Sequence, residues 1–217
     1  MPSPWFPVLI LLIVSIAFAV LTRRAAQRIG GSPNRFGADD TAHDFVGRVY
    51  RIGGGVLSLF LIVRAVWPGE TDMAAGLIPV LVHPAVAWFG LVTMVMGSAV
   101  ILAAQVGIGA SWRIGLDQER TGLVTTGLFA WSRNPTFLGM VAVVLGALLV
   151  VPTAVTAVAL AAAWIAFSVQ IRMEEEHLGR MHGAAYDRYH VMVPRWIGLR
   201  RSSGTAPAID GNAVDRG

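Results

Sequence analysis

Four long runs of apolar residues constrain this chain more than any other feature of its sequence. They cover about residues 5–21, 49–67, 77–105 and 137–171, and the last of them contains no ionisable side chain. A helix needs about 20 mostly apolar residues to cross the hydrocarbon core of a bilayer. The sequence therefore predicts an all-α integral membrane protein.

The run at 137–171 is too long for one membrane helix. At 1.5 Å per residue it would measure roughly 50 Å, against a hydrocarbon core of about 30 Å. Pro152 and Thr153 lie near its middle, and proline disfavours a continuous helix. We therefore expect a hairpin of two short helices here, and about five transmembrane helices in the whole chain.

The composition excludes several other classes of protein. Of the 217 residues, 55% are hydrophobic and 14% are charged, whereas soluble domains carry about 25% charged residues. This difference argues against a soluble globular protein, a disordered protein and a nucleic-acid binder. The chain has no cysteine, which excludes a disulfide framework, a thiolate metal site and a cysteine nucleophile.

The distribution of arginine predicts an orientation in the membrane. Arginines are concentrated between the first and second spans, between the third and fourth spans, and after the last span, whereas the 68–76 connection has none. Loops rich in Lys or Arg face the cytoplasm. We therefore expect a protein of the plasma (inner) membrane with its N-terminus outside and its C-terminus in the cytoplasm.

The glutamates at 174–176 follow one apolar face of a predicted helix. The apolar positions of this face are Trp164, Phe167, Ile171 and Leu178. At 100° per residue, Glu174 and Glu175 lie about −60° and about +40° from Ile171, whereas Glu176 lies at about +140°. Glu176 can pair there with Arg180, four residues later. A carboxylate near a buried face needs a cationic or hydrogen-bonding partner, so we expect functional partners for Glu174 and Glu175.

The informative polar residues lie in two segments, 107–136 and 170–196, on either side of the uncharged hairpin. Such segments can meet at the membrane surface, where a water-soluble reagent could act on a lipid-embedded substrate. Three histidines of the second segment lack a convincing ligand spacing, so we expect no metal site. Tyr186 and Tyr189 have the spacing of interfacial anchors.

The two segments resemble the isoprenylcysteine carboxyl methyltransferase family, within the wider group of membrane phospholipid-methyltransferase-like proteins. The first segment carries Leu123-Val124-Thr125-Thr126-Gly127-Leu128-Phe129 and Arg133-Asn134-Pro135-Thr136-Phe137-Leu138-Gly139. The second carries Glu174-Glu175, Leu178, Gly183, Tyr186, Tyr189 and Val193-Pro194-Arg195. The order of these motifs and the uncharged hairpin between them are similar to those of the family.

The resemblance implies a cytoplasm-facing pocket for S-adenosyl-L-methionine and methyl transfer to a lipophilic substrate that enters from the bilayer. It places the cofactor contacts at Thr121, Gly122, Leu123, Val124, Phe129, Asn134, Pro135, Thr136, Phe137 and Glu174, and catalytic roles at Glu174, Glu175 and Arg133. A carboxylate such as Glu174 and aromatic faces such as Phe129 or Phe137 can stabilise a sulfonium cation. Such a reaction requires no metal.

Five positions depart from the family's pattern. Thr121 and Asn134 stand where the family has histidine, and Phe129 and Phe137 replace tyrosine. Gln170 lies one helical turn before Glu174, where the methyl-esterifying members of the family have a substrate-binding arginine. The resemblance thus implies the cofactor, while the methyl acceptor near Gln170 stays open.

Two other functions are compatible with the sequence. One is a catalytically inactive membrane protein of the same fold. The other is an NADPH-dependent sterol-type reductase, although such proteins usually have aspartate where Met140 follows Gly139. The expected organisation is three transmembrane helices at 1–106, the cofactor loop, hairpin and cytoplasmic helix at 107–200, and a disordered tail at 201–217. The expected partners are the lipid bilayer and a lipophilic small-molecule or lipidated substrate, with no nucleic acid and an open oligomeric state.

Overall fold

The computed structural model describes residues 1–29, 42–108 and 122–199, and this part of the chain is helical without a β-strand. The helices are α1 (Phe6–Ile29), α2 (Ala42–Val66), α3 (Pro68–Ala74), α4 (Pro84–Ile108), α5 (Pro135–Val150), α6 (Ala154–His182) and α7 (Ala184–Met192). The prediction of an all-α protein is confirmed for these residues. Thr121 and the predicted tail at 201–217 lie outside them.

Each of the four apolar runs contains at least one long helix. The segments Phe6–Ala25, Phe45–Val66, Pro84–Ile108 and Ala154–His182 are long and apolar enough to cross a membrane. The chain is therefore an integral membrane protein. Helix α5 has 16 residues, which span about 24 Å and fall short of a core of about 30 Å. Five crossings therefore remain a prediction.

The predicted break at Pro152 and Thr153 is confirmed. Helix α5 ends at Val150, and Thr153 caps α6 in a reciprocal arrangement with Thr156. The Thr153 side chain accepts a hydrogen bond from the Thr156 backbone at 3.3 Å, and the Thr156 hydroxyl accepts one from the Thr153 backbone at 3.2 Å. This capping box satisfies backbone N–H groups that the start of a helix otherwise leaves without partners.

Two predicted boundaries were wrong. The second helix of the hairpin is not short, because α6 continues for 29 residues to His182 and is followed by Gly183, whose φ of +51° lies outside the helical region. The third span starts at Pro84 instead of residue 77. Residues 77–83 form an isolated bridge from Leu77 to Thr153 and a 3-10 turn at Pro79–Leu81.

Helices α4 and α5 pack with their backbones in contact at four glycines. These are Gly90 and Gly97 on α4, and Gly139 and Gly146 on α5. A Cβ atom at Gly146 would lie 2.5 Å from the Gly90 carbonyl oxygen, and one at Gly139 would lie 2.6 Å from the Gly97 carbonyl oxygen. Small residues permit this close approach of membrane helices. The contact places the start of α5, and the loop before it, beside α4.

Candidate active site

The loop before α5 is bonded to the residues around the end of α7. The backbone N–H of Arg133 donates to the Pro194 carbonyl at 3.0 Å. The Tyr189 hydroxyl donates to the Phe129 carbonyl at 2.8 Å. These bonds join the two segments that carry the sequence motifs, although about 60 residues separate them along the chain. The expectation that the two segments meet is therefore confirmed.

Glu175 lies at the centre of this contact and is 9% exposed. Its carboxylate accepts hydrogen bonds from Arg195, with Nη2 at 2.7 Å from Oε2 and Nε at 3.1 Å from Oε1. Arg133 Nη2 lies 3.3 Å from Oε1, and the Asn134 amide donates to the same oxygen at 3.3 Å. The hydrogen bonds that Arg195 donates to Glu175 raise the pKa of Arg195. The Glu175 carboxylate is thus shared between two guanidinium groups and one amide.

Glu174 has a different environment from its neighbour. Its Oε1 accepts a hydrogen bond from Gln170 Nε2 at 2.9 Å, and Gln170 is 1% exposed. Only the NH2 group of an amide can donate to a carboxylate. The Gln170 carbonyl oxygen, Oε1, therefore points away from this hydrogen bond. Gln170 Oε1 is buried and has no hydrogen-bond partner in the described part of the chain. A buried hydrogen-bond acceptor is therefore available beside Glu174.

The predicted helical faces of Glu175 and Glu176 are confirmed. Glu175 is buried, whereas Glu176 is exposed and pairs with Arg180 at 3.8 Å. The apolar face differs from the prediction at Trp164, which is 47% exposed and stacks on Trp196 with ring centroids 4.8 Å apart.

Tyr186 is not the interfacial anchor that the sequence predicted. It is 4% exposed and packs with Tyr189 and Val193 in a small buried cluster. Burial, followed by the charge of Glu175, raises the pKa of Tyr186 to about 12, so the hydroxyl is protonated at neutral pH. Its oxygen is buried without a hydrogen-bond partner among the described residues. The spacing to Tyr189 carried no signal of this burial.

Three aromatic rings from three helices pack on the Glu174 side of α6. Phe137 of α5 and Phe167 of α6 have ring centroids 5.6 Å apart, and Tyr50 of α2 lies 5.3 Å from Phe167. Phe167 precedes Glu174 by seven residues, which places both on one face of α6. The ring of Phe137 thus lies in a position to line a site that includes Glu174.

The remaining predicted cofactor residues lie along the approach to α5. Asn134 and Pro135 are buried, Gly122 is exposed, and Leu123, Val124, Phe129, Thr136 and Phe137 are half-buried. Leu123 packs against the Tyr186 cluster. In residues 1–29, 42–108 and 122–199, no three His, Asp or Glu side chains are grouped so that they could hold a metal ion.

Residues 77–180 match the family model of the isoprenylcysteine carboxyl methyltransferase (ICMT) family. This part of the chain is similar to the ICMT family. The match covers just under half of the 217 residues and includes the loop at Asn134 and both Glu174 and Glu175. No curated protein matches the chain.

The ICMT match ends at residue 180, before α7 begins. Tyr186, Tyr189 and Arg195 therefore lie beyond the matched region, although all three contact or face residues within it. Hydrogen bonds from Tyr189 and Arg195 therefore join the residues after the match to the matched region.

The Tyr189 hydroxyl is expected to hold the loop at Phe129 in place. We expect Tyr189→Phe to lower the free energy of unfolding by about 1–2 kcal/mol, because it leaves the Phe129 carbonyl without its 2.8 Å hydrogen bond. Thermal unfolding of the detergent-solubilised protein measures the change. An unaltered midpoint would show that this hydrogen bond does not stabilise the loop.

Proposed function

We propose that this chain is a membrane methyltransferase that uses S-adenosyl-L-methionine to methylate a lipophilic acceptor. The ICMT match supports methyltransferase activity. The observation that carries the rest is the convergence of two polar segments at one end of the apolar helices α5 and α6, with Glu174 and Gln170 beside them. A cofactor from water and an acceptor from the bilayer can meet at such a boundary.

The described residues fit this cofactor. When bound, it supplies a methyl group on a positively charged sulfur, and Glu174 provides the carboxylate that this charge requires. Phe137 provides an aromatic face from α5. Asn134 is bonded to Glu175 at 3.3 Å and positions the loop.

Glu174 and Glu175 have different roles in this proposal. Glu175 is already bonded to Arg133, Arg195 and Asn134, so it positions the loop and does not contact the cofactor. Glu174 faces the site instead. The sequence allowed either carboxylate to act there, and the contacts favour Glu174.

Residue 170 offers the methyl acceptor no positively charged side chain. Gln170 is neutral, and its amide group already donates to Glu174. Its remaining oxygen can only accept a hydrogen bond. We therefore favour an acceptor that carries an O–H or N–H group over one that carries a carboxylate. A hydroxyl or amine acceptor must lose a proton during methyl transfer, and the Glu174 carboxylate is placed to receive it.

The arginine distribution supports an orientation in which this end of the bundle faces the cytoplasm and the N-terminus lies outside. Arg172 and Arg180 on α6 and Arg188 on α7 are close in sequence to the site. The proposed membrane is the plasma (inner) membrane, where cytoplasmic S-adenosyl-L-methionine reaches the site directly.

Titration with two cofactor forms tests the proposal. S-adenosylmethionine carries a sulfonium charge and S-adenosylhomocysteine does not. We expect both to bind the purified protein. Glu174→Gln should weaken the binding of S-adenosylmethionine by about tenfold or more, and a tenfold loss corresponds to about 1.4 kcal/mol. The same change should weaken S-adenosylhomocysteine less. Calorimetry measures both affinities.

Glu176→Gln is the matched control, because Glu176 is exposed and its ion pair with Arg180 is long. It should change neither affinity. Equal losses in Glu174→Gln and Glu176→Gln would contradict the role of the α6 face. Absence of binding by either cofactor form in folded protein would contradict the proposed function, and binding of NADPH alone would indicate a reductase.

A further inference from the structure

Two buried side chains of the site have polar atoms that the contacts above do not use. The Arg133 side chain is 7% exposed, and its Nη2 contacts Glu175, but its Nε and Nη1 are buried and have no partner among the residues that the structure describes. The Tyr186 hydroxyl is also buried without a partner among the described residues. All three of these atoms are hydrogen-bond donors at neutral pH.

The charges around these donors favour an anion. Arg133 and Arg195 share the single carboxylate of Glu175, so this triad carries one more positive than negative charge. The neighbouring Glu174 bonds to Gln170 and lies within 4 Å of neither arginine in the described structure. Buried charges are normally paired, and buried donors are normally bonded. The group that satisfies both requirements is an anion with acceptor oxygens.

We propose that Arg133 and Tyr186 form a carboxylate-binding subsite, which takes the carboxylate of the methionine part of the cofactor. This inference rests on the proposed function. The cofactor carries a sulfonium cation and a carboxylate, and the site offers Glu174 for the first and Arg133 with Tyr186 for the second. Because Gln170 favours an acceptor with an O–H or N–H group, the carboxylate belongs to the cofactor.

Tyr186→Phe is the sharpest test, because it removes only a hydroxyl that has no partner in the described part of the chain. Deleting a buried donor that has no acceptor should leave the thermal midpoint of the ligand-free protein unchanged or raise it. The same change should weaken the binding of S-adenosylhomocysteine by about tenfold, since a hydrogen bond to a charged group is lost. It should leave 5′-methylthioadenosine unaffected, because that compound lacks the amino-acid part.

Arg133→Lys provides a second variant with a different chemistry. Lysine retains the positive charge that pairs with Glu175 but lacks the Nε and Nη1 donors. Arg133→Lys should also weaken the binding of S-adenosylhomocysteine and leave that of 5′-methylthioadenosine unchanged. Glu176→Gln, on the exposed face of α6, is the control and should alter neither affinity. Calorimetry measures the affinities, and thermal unfolding measures the stability of each variant.

Four outcomes are distinguishable. Selective loss of S-adenosylhomocysteine affinity in Tyr186→Phe and Arg133→Lys supports the proposal. Geranic acid and geraniol, a lipophilic carboxylate and the corresponding alcohol, serve as probes of the acceptor site in the same titrations. If these variants instead weaken the binding of geranic acid only, and not that of geraniol, the carboxylate comes from the acceptor and the assignment to the cofactor is overturned. Unchanged affinities for all four compounds overturn the subsite and leave the proposed function intact. If the wild-type protein binds neither nucleoside, the proposed function fails, and the subsite fails with it.

Discussion

Glu175→Gln is expected to lower the free energy of unfolding by about 3 kcal/mol, because it leaves the buried Arg133 guanidinium and the partly exposed Arg195 guanidinium without a counter-charge. Glu175 is 9% exposed, and the side chain of Arg133 beside it is 7% exposed. A glutamine oxygen can still accept a hydrogen bond from Arg195, which places the loss at the lower end of the range for broken buried ion pairs. Chemical unfolding in mixed micelles measures the change.

The next residue along the chain is a matched control. Glu176→Gln makes the same chemical change at an exposed ion pair with a separation of 3.8 Å, and exposed pairs contribute about 0–1 kcal/mol. We expect no more than this from Glu176→Gln. Similar losses from both substitutions would show that the Glu175 cluster does not stabilise the fold.

Gly146→Ala is expected to lower the free energy of unfolding by about 2 kcal/mol or more, since overpacking a close contact costs about 1–3 kcal/mol. The new Cβ would lie 2.5 Å from the Gly90 carbonyl oxygen and 2.8 Å from the Met94 backbone nitrogen. These are backbone atoms, so the contact is relieved only if α4 and α5 move apart. Unfolding in detergent again measures the loss.

Gly54→Ala on α2 is the matched control for this substitution. No atom of the described residues lies within 4 Å of a Cβ at Gly54, and alanine favours a helix over glycine by about 1 kcal/mol. The control should therefore be neutral or stabilising. A Gly146→Ala protein as stable as Gly54→Ala would contradict the close contact of α4 and α5.

Local patterns in the sequence were sufficient for several features of the fold. The apolar runs predicted the helices because the bilayer core requires about 20 apolar residues per crossing. Pro152 and Thr153 predicted the break between α5 and α6 because proline lacks the backbone N–H of a helix interior. The 100° period placed Glu175 inside and Glu176 outside. Each of these inferences depends on residues within a few turns of one another.

The ends of the helices were less predictable. An apolar run shows where a helix enters lipid and not where its hydrogen bonds end, so α6 continues past Ile171 to His182. The same limit explains why residues 77–83, although apolar, form a bridge and a 3-10 turn before Pro84. The predicted division of the chain at residues 106 and 200 remains a prediction.

The sequence by itself determined that the chain forms apolar helices, that they break at Thr153, and which face of α6 carries Glu175. Only the tertiary structure decided which partners that carboxylate has, because Arg133 lies before the hairpin and Arg195 follows α7. It also decided that Tyr186 is buried and that Gly90 meets Gly146. Helical periodicity fixes the direction of a side chain, but the crossing of two helices determines which atoms it meets.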